Sequence, residues 1–185
     1  GNTAKQYAES IFNYFDFDCV TINPYMGTDS IEPFLNYKGK GVFILCRTSN
    51  PSAKDFQDKL IKNNPLYLEV VRFADSLNKL DNVGLVVGAT GSEELRKIRT
   101  LSPKIPLLIP GIGSQGGDLA NSIEVSNKTG VGIVNISRGI SFVGDMKRDE
   151  IYNAAKNYYE QIKEVMSKWA ITRQFYPYLE IQMHY

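Results

Sequence analysis

Five short apolar runs punctuate the chain: CVTIN (19–23), GVFILC (41–46), VGLVV (83–87), PLLI (106–109) and VGIVNI (131–136). Most are apolar almost throughout rather than alternating. That pattern suits parallel strands covered on both faces. Between the runs, apolar residues return at helical spacing. Residues 3–15 set Ala4, Tyr7, Ala8, Ile11 and Phe15 on one stripe, with Asn2 or Thr3 as cap. Asp29 and Ser30 open a helix after NPYMGT, and Pro51-Ser52 opens another carrying Phe56 and Leu60. Asn64-Pro65 starts the next, with Asn as cap and Pro in the first turn. Its apolar set is Leu66, Val70, Phe73, Ala74 and Leu77. Residues 92–101 carry Leu95 and Ile98 behind a Ser92 cap. Residues 148–169 repeat Ile151, Ala155, Tyr158, Ile162, Val165 and Trp169.

Helix and strand thus alternate strictly, which predicts a parallel α/β sheet with helical crossovers. An open doubly wound sheet and part of a (β/α)8 barrel both fit that order. The strand ends separate them. Each run leads into polar, Gly or Pro chemistry: NPYMGTDS, CRTSNPS, VGATGSEE, IPGIGSQGGD and ISRGIS. A barrel builds its site from every such loop, whereas an open sheet concentrates it at one switch point. Five loaded ends therefore favour the barrel. Eight βα units normally need roughly 250 residues. The 185 residues here supply five units, with about three expected before Gly1. The chain opens GNTAKQYAES, without Met and already helix-like, and we read it as part of a longer protein. Residues 1–168 read as one domain portion and 169–185 as a tail.

Composition narrows the function classes. With 21 Lys+Arg against 20 Asp+Glu, the net charge of +1 offers no footprint for nucleic acid or an acidic membrane. No apolar run reaches membrane-span length. Cys19 and Cys46 sit inside apolar runs and read as core thiols of a reducing compartment, the cytoplasm. His184 is the only histidine, so neither a Ser-His-Asp triad nor a zinc site is expected. Glu93-Glu94 reads as the acidic first turn of a helix.

The stretch LLIPGIGSQGGDLA (107–120) fits G-x-G-x-x-G at Gly111, Gly113 and Gly116. A dinucleotide site would want a carboxylate about 20 residues on, at the next strand end. NISRGI stands there and offers Arg138 instead. Phosphate fits better: glycines let backbone N–H groups approach an anion, Gln115 donates, and Arg138 makes a charge-assisted fork. A tight turn beside a surface arginine explains the same letters without a ligand.

Several motifs in order then resemble one family. GNTAKQYAESIF, TINPYMGTDSIEPF, GVFILCRTSNPSA, VGLVVGAT, LIPGIGSQGGDL and VNISRGI are similar to segments of orotidine 5'-phosphate decarboxylases of the longer bacterial-type branch. The resemblance covers residues 1 to about 168. It implies a (β/α)8 barrel and a homodimer with sites near its interface. It also implies conversion of orotidine 5'-monophosphate (OMP) to uridine 5'-monophosphate (UMP) and CO2, without metal or organic cofactor. Residue by residue, it implies that Ser49 contacts the pyrimidine and Pro110 lines the pocket. Gln115 would touch phosphate and reach toward the base. Arg138 would clamp the phosphate with backbone groups around Ser137 and Gly139. Thr3 would reach into the partner's site at the ribose end, and Asn23 would face the same pocket. The family's catalytic Asp-x-Lys-x-x-Asp is expected upstream of Gly1, so no catalytic residue is assigned within 1–185. The isolated chain is then expected to be inactive. Two readings stay open beside this one: another phosphate-binding barrel lyase or epimerase, and a non-catalytic ligand-binding fragment.

Overall fold

The structure is a computed structural model. It describes residues 1–113 and 117–172, the last four by backbone alone. In chain order the elements are α1 (Asn2–Glu9), β1 (Cys19–Ile22), α2 (Thr28–Leu35), β2 (Gly41–Arg47), β3 (Leu60–Ile61) and β4 (Asn64–Pro65). There follow α3 (Leu66–Leu77), β5 (Val83–Val87), α4 (Ser92–Leu101), β6 (Leu107–Pro110), α5 (Leu119–Ser126), β7 (Gly132–Asn135), α6 (Arg138–Ser141) and α7 (Arg148–Thr172).

Every apolar run became a strand, and the main sheet runs β1-β2-β5-β6-β7 with each neighbouring pair parallel. Setting the small β3–β4 hairpin aside, neighbours in the sheet are neighbours in sequence. A doubly wound sheet reverses its order at a switch point. The described strands show no reversal, so they advance in one direction like the staves of a barrel wall.

The core lies between this sheet and its helices. Val42, Ile44, Leu85, Leu107 and Ile109 are fully buried beside Val71, Ala74, Leu95 and Ile98. Cys46 shares that face of β2, and its thiol donates to the Tyr67 carbonyl of α3 at 3.3 Å. Burial on both faces holds only for β5, buried along its whole length. β2 alternates, and β1 and β7 are exposed at every second residue. Cys19 is therefore not a core thiol: it stands exposed on β1, one of the two edge strands among those described.

Local departures have local causes. The first helical segment is not one regular helix. After α1 a π-type turn spans Ser10–Tyr14, with Phe15 N–H reaching back five residues to Ser10. The extra residue shifts the helical phase. Phe12 becomes core at 2% exposure, and Phe15 swings out to 59%. The expected side-chain caps are also absent: Gly1, Gly27 and Gly91 precede α1, α2 and α4, and none of the three ends has a side-chain cap bond.

The helix expected from Pro51 stops early, as a single 3-10 stretch at Pro51–Asp55. Leu60 belongs instead to the hairpin β3–β4, which also takes Asn64 and Pro65 out of the next helix. Its turn residues Lys62 and Asn63 have φ of 49° and 67°. Positive φ at both positions is the mark of a two-residue hairpin turn of type I′. At the far end α7 continues to Thr172, so the expected division at 168/169 falls inside a helix.

Candidate functional site

The expected residues at the ends of β2, β6 and β7 lie at the C-terminal strand ends, and the end of β5 bridges them. Ser49 follows β2, half-buried, on a loop held from two sides. The Thr48 N–H donates to Gln57 Oε1, and Gln57 Nε2 donates to Thr48 Oγ1, both at 2.8 Å. Arg47 Nη1 donates to the Thr48 carbonyl at 2.7 Å, and its Nε lies 3.0 Å from Asp58. An amide clamp and an ion pair thus bracket Ser49.

The next strand end meets this loop at Gly88. A methyl group there would lie 2.6 Å from Ser49 N and 2.8 Å from its Cα, so only glycine permits the approach. Thr90 Oγ1 donates to the Ser49 carbonyl at 3.4 Å, and Ala89 N–H donates to the Pro110 carbonyl at 2.9 Å. Pro110 ends β6 and is paired with Asn135 of β7.

The glycine loop leaves from Pro110. Gly111 and Gly113 have φ of 99° and 79°, a region that L side chains rarely enter. Gly117 N–H returns to the Gly111 carbonyl at 3.1 Å and closes the loop. The loop carries Gln115, which lies outside the described residues, as do His184 and the tail from 173 on. After β7, Ser137 Oγ donates to Asn135 Oδ1 at 3.2 Å. Arg138 is exposed, and among the described residues its guanidinium has no hydrogen bond or ion pair. Gly139 follows it, half-buried.

Two expected residues stand apart from those strand ends. Asn23 is exposed, and its Oδ1 accepts the Tyr25 N–H at 2.9 Å, capping the short turn Pro24–Met26. It lines a cavity of about 640 Å³ walled by Tyr25, Phe56, Val70 and Phe73, which Ser49, Pro110, Ser137, Arg138 and Gly139 do not line. Thr3 is exposed in the first turn of α1. The neighbouring Gly1 nitrogen lies 3.9 Å from Asp29 of α2, so the start of α1 sits at the same end of the sheet as the loops.

Gln57, Gly88 and Thr90 are site-building residues that the sequence reading passed over. The pair Gln57–Thr48 spans nine positions, and no spacing rule marks it. Gly88 was visible within VGAT, but only the structure puts Ser49 against it. Among the described residues, no three His, Cys, Asp or Glu side chains gather as a metal site, and no helix is long and apolar enough to cross a membrane.

A one-way parallel sheet with glycine-rich and cationic loops on consecutive C-terminal strand ends defines an α/β barrel protein with a candidate site on those loops. The sequence pattern of the orotidine 5'-phosphate decarboxylase / HUMPS family matches residues 1–167, and the chain belongs to that family. It is 49% identical over 152 residues to the orotidine 5'-phosphate decarboxylase of Halorubrum lacusprofundi, covering 78% of this chain and 54% of that one. With the Haloarcula marismortui enzyme the identity is 45% over 179 residues, covering 91% and 65%. Among solved structures, Leishmania donovani UMP synthase superposes with a TM-score of 0.82 at 37% identity, covering 89% of this chain and 36% of that one. Leishmania donovani OMP decarboxylase gives 0.77 at 34% identity, covering 89% and 64%. The chain thus spans between half and two thirds of the length of the curated relatives it matches.

Proposed function

We propose that the chain forms the substrate-holding part of an OMP decarboxylase, which converts OMP to UMP and CO2 in pyrimidine synthesis. Family membership supports the reaction. One observation carries the assignment of the phosphate end: Arg138 stands exposed and without a protein partner among the described residues, on the strand end next to the glycine loop. In this reading the phosphate monoester lies between the Gly111–Gly117 loop and Arg138, with Gln115 donating from the loop. Ser49 meets the pyrimidine and Pro110 lines the ring pocket between them.

The chemistry explains why binding matters so much. The ring-to-carboxylate bond breaks, CO2 leaves, and the electron pair stays on a ring carbon with no conjugated sink. The protein must stabilise that charge electrostatically. In the family a lysine ammonium of Asp-x-Lys-x-x-Asp does so and then delivers the proton. That motif does not occur in residues 1–185, so the proposal takes it from outside them. What this chain supplies is hold on the far end of the substrate. Energy gained at a remote phosphate lowers the barrier by keeping the reacting ring placed and dry. The reading brings with it a homodimer, with Thr3 entering the partner's site from the rim, and a cytoplasmic location.

Arg138→Ala, in protein that carries the Asp-x-Lys-x-x-Asp segment, is the test. A lost charge-assisted fork should cost on the order of 2–5 kcal/mol, or ~30- to ~5,000-fold in kcat/KM. Decay of OMP absorbance reads the rate, and an unchanged kcat/KM would sink the assignment.

A further inference from the structure

Behind the glycine loop and the Arg138 turn stands one aromatic ring. Tyr158 projects from α7, the long helix that packs on α5 and α6, and its side chain is half-buried against the core. A methyl group added to Gly113 would lie 2.7 Å from the Tyr158 hydroxyl. A methyl group added to Gly139 would lie 2.7 Å from the same hydroxyl and 3.3 Å from two ring carbons. At 2.7 Å a new methyl group and the phenol oxygen could not both keep their places. Both glycines thus face one phenol, on the side where a side chain would project. Gly113 belongs to the loop after β6, while Gly139 directly follows Arg138 after β7.

We propose that Tyr158 is a positioning residue for the phosphate end of the site, holding Gly113 and the Arg138 turn at one separation behind a phosphate monoester. The inference rests on the phosphate reading given above. Its physical basis is stiffness. Gly113 lies outside the regular elements and α6 is a single turn, so each needs a reference surface. A phenol has only two rotatable side-chain bonds and is anchored here in a long helix. Touching both loops, it sets their separation, and a shift of about 1 Å in such placement costs on the order of 100-fold. Glycine at 113 and 139 then reflects the ring behind the loops as well as the anion in front of them.

A double-mutant cycle tests this in the full chain. Gly139→Ala, Tyr158→Phe and the double variant are each titrated calorimetrically with UMP and with uridine, which lacks the phosphate. Gly139→Ala should weaken UMP binding by ~10-fold or more and leave uridine binding within about twofold. Removing the hydroxyl frees the place that the new methyl group needs. In the Tyr158→Phe background the same alanine should therefore cost at least ~5-fold less. Tyr158→Leu, which takes the ring from behind both loops, should lower the UMP-to-uridine affinity ratio by ~10-fold, and this holds even if Gly139→Ala proves too unstable to titrate.

Equal cost of Gly139→Ala in both backgrounds overturns the coupling. So does a Tyr158→Leu loss shared equally by UMP and uridine, since a merely structural ring would produce it. Wild-type protein that binds UMP no better than uridine overturns the phosphate reading itself, and the coupling with it. A wild-type preference for UMP that Arg138→Ala abolishes, beside an additive cycle, leaves that reading intact and refutes Tyr158 alone.

Discussion

Replacing Arg99 by Met should loosen the end of the barrel wall opposite the candidate site. Arg99 is 3% exposed, with no carboxylate beside it. Its guanidinium donates to four carbonyls: Ser102 at 3.3 Å, Pro103 at 3.1 Å, Ile105 at 2.8 Å and Val131 at 3.1 Å. These acceptors lie on the segments that lead into β6 and β7. Methionine keeps much of the apolar stem and removes the donors. Not every carbonyl is then orphaned. Val131 still accepts the Leu107 N–H at 2.9 Å, and Pro103 still accepts Thr129 Oγ1 at 2.7 Å. The Ser102 and Ile105 carbonyls accept no other hydrogen bond among the described residues. Two buried carbonyls at about 1–3 kcal/mol each give a gross cost of about 2–6 kcal/mol. Against it stands relief from burying a charge. Burial pushes this guanidinium down to about 10, so folding opposes its charged form. The net loss should be about 1–3 kcal/mol, or roughly 2–12 °C in Tm for a domain of this size. The sign of the pH dependence follows. With its folded pKa below the unfolded one, Arg99 binds protons less tightly in the native state. Its contribution to stability therefore rises with pH only above about 10. Urea melts at pH 6 and pH 8 should accordingly give the same difference between wild type and variant. A variant within about 0.5 kcal/mol of wild type at both pH values would refute the reasoning, because the two carbonyls would then have found other partners.

Gly88→Ala pushes a methyl group onto the Ser49 backbone, which has nowhere to yield. It should destabilise by about 1–3 kcal/mol and weaken UMP binding beyond that, read by urea melts and titration; unaltered binding would disconnect Gly88 from the site. The two thiols should react very differently with a colorimetric disulfide reagent at pH 8. Cys19 is exposed and should react at once, while burial raises the Cys46 pKa and should hold it back until the chain unfolds. One fast phase from both thiols would contradict the packing of Cys46 against α3.

Where apolar residues run unbroken, the fold could be read from letters alone. VGLVV is β5 to the residue, and the other four runs match their strands within one residue at each end. Burial of that kind leaves a one-dimensional trace. The hairpin β3–β4 left none, because two-residue strands are too short to alternate. Leu60 and Ile61 are also exposed there, at 66% and 44%. Leu60 sits four residues after Phe56, so it mimics a helical stripe. The turn that joins the strands is spelled Lys62-Asn63, whereas glycine is the usual sign of such a turn. Phase inside a helix was equally hidden. A single π-type turn exchanged Phe15 for Phe12, and nothing in the composition of Ser10–Tyr14 announces it.

The site divides along a similar line. Residues proposed to act by their own chemistry, such as Arg138 or Ser49, stand out because their types are unexpected after an apolar strand. Residues that act by holding others do not. Tyr158 reads as one more member of the stripe Ile151, Ala155, Tyr158, Ile162, since a core-facing aromatic is what that stripe predicts. Only the approach of two glycines from different strand ends makes it distinctive. The same holds for G-x-G-x-x-G. Its glycines permit close approach to something, but the letters alone do not say from which side. Here the described part of the loop meets protein on one side, Gly113 against Tyr158 and Gly117 against Ala89. A glycine motif is thus evidence for two surfaces at once, and the packing surface has to be identified before the remainder is credited to a ligand.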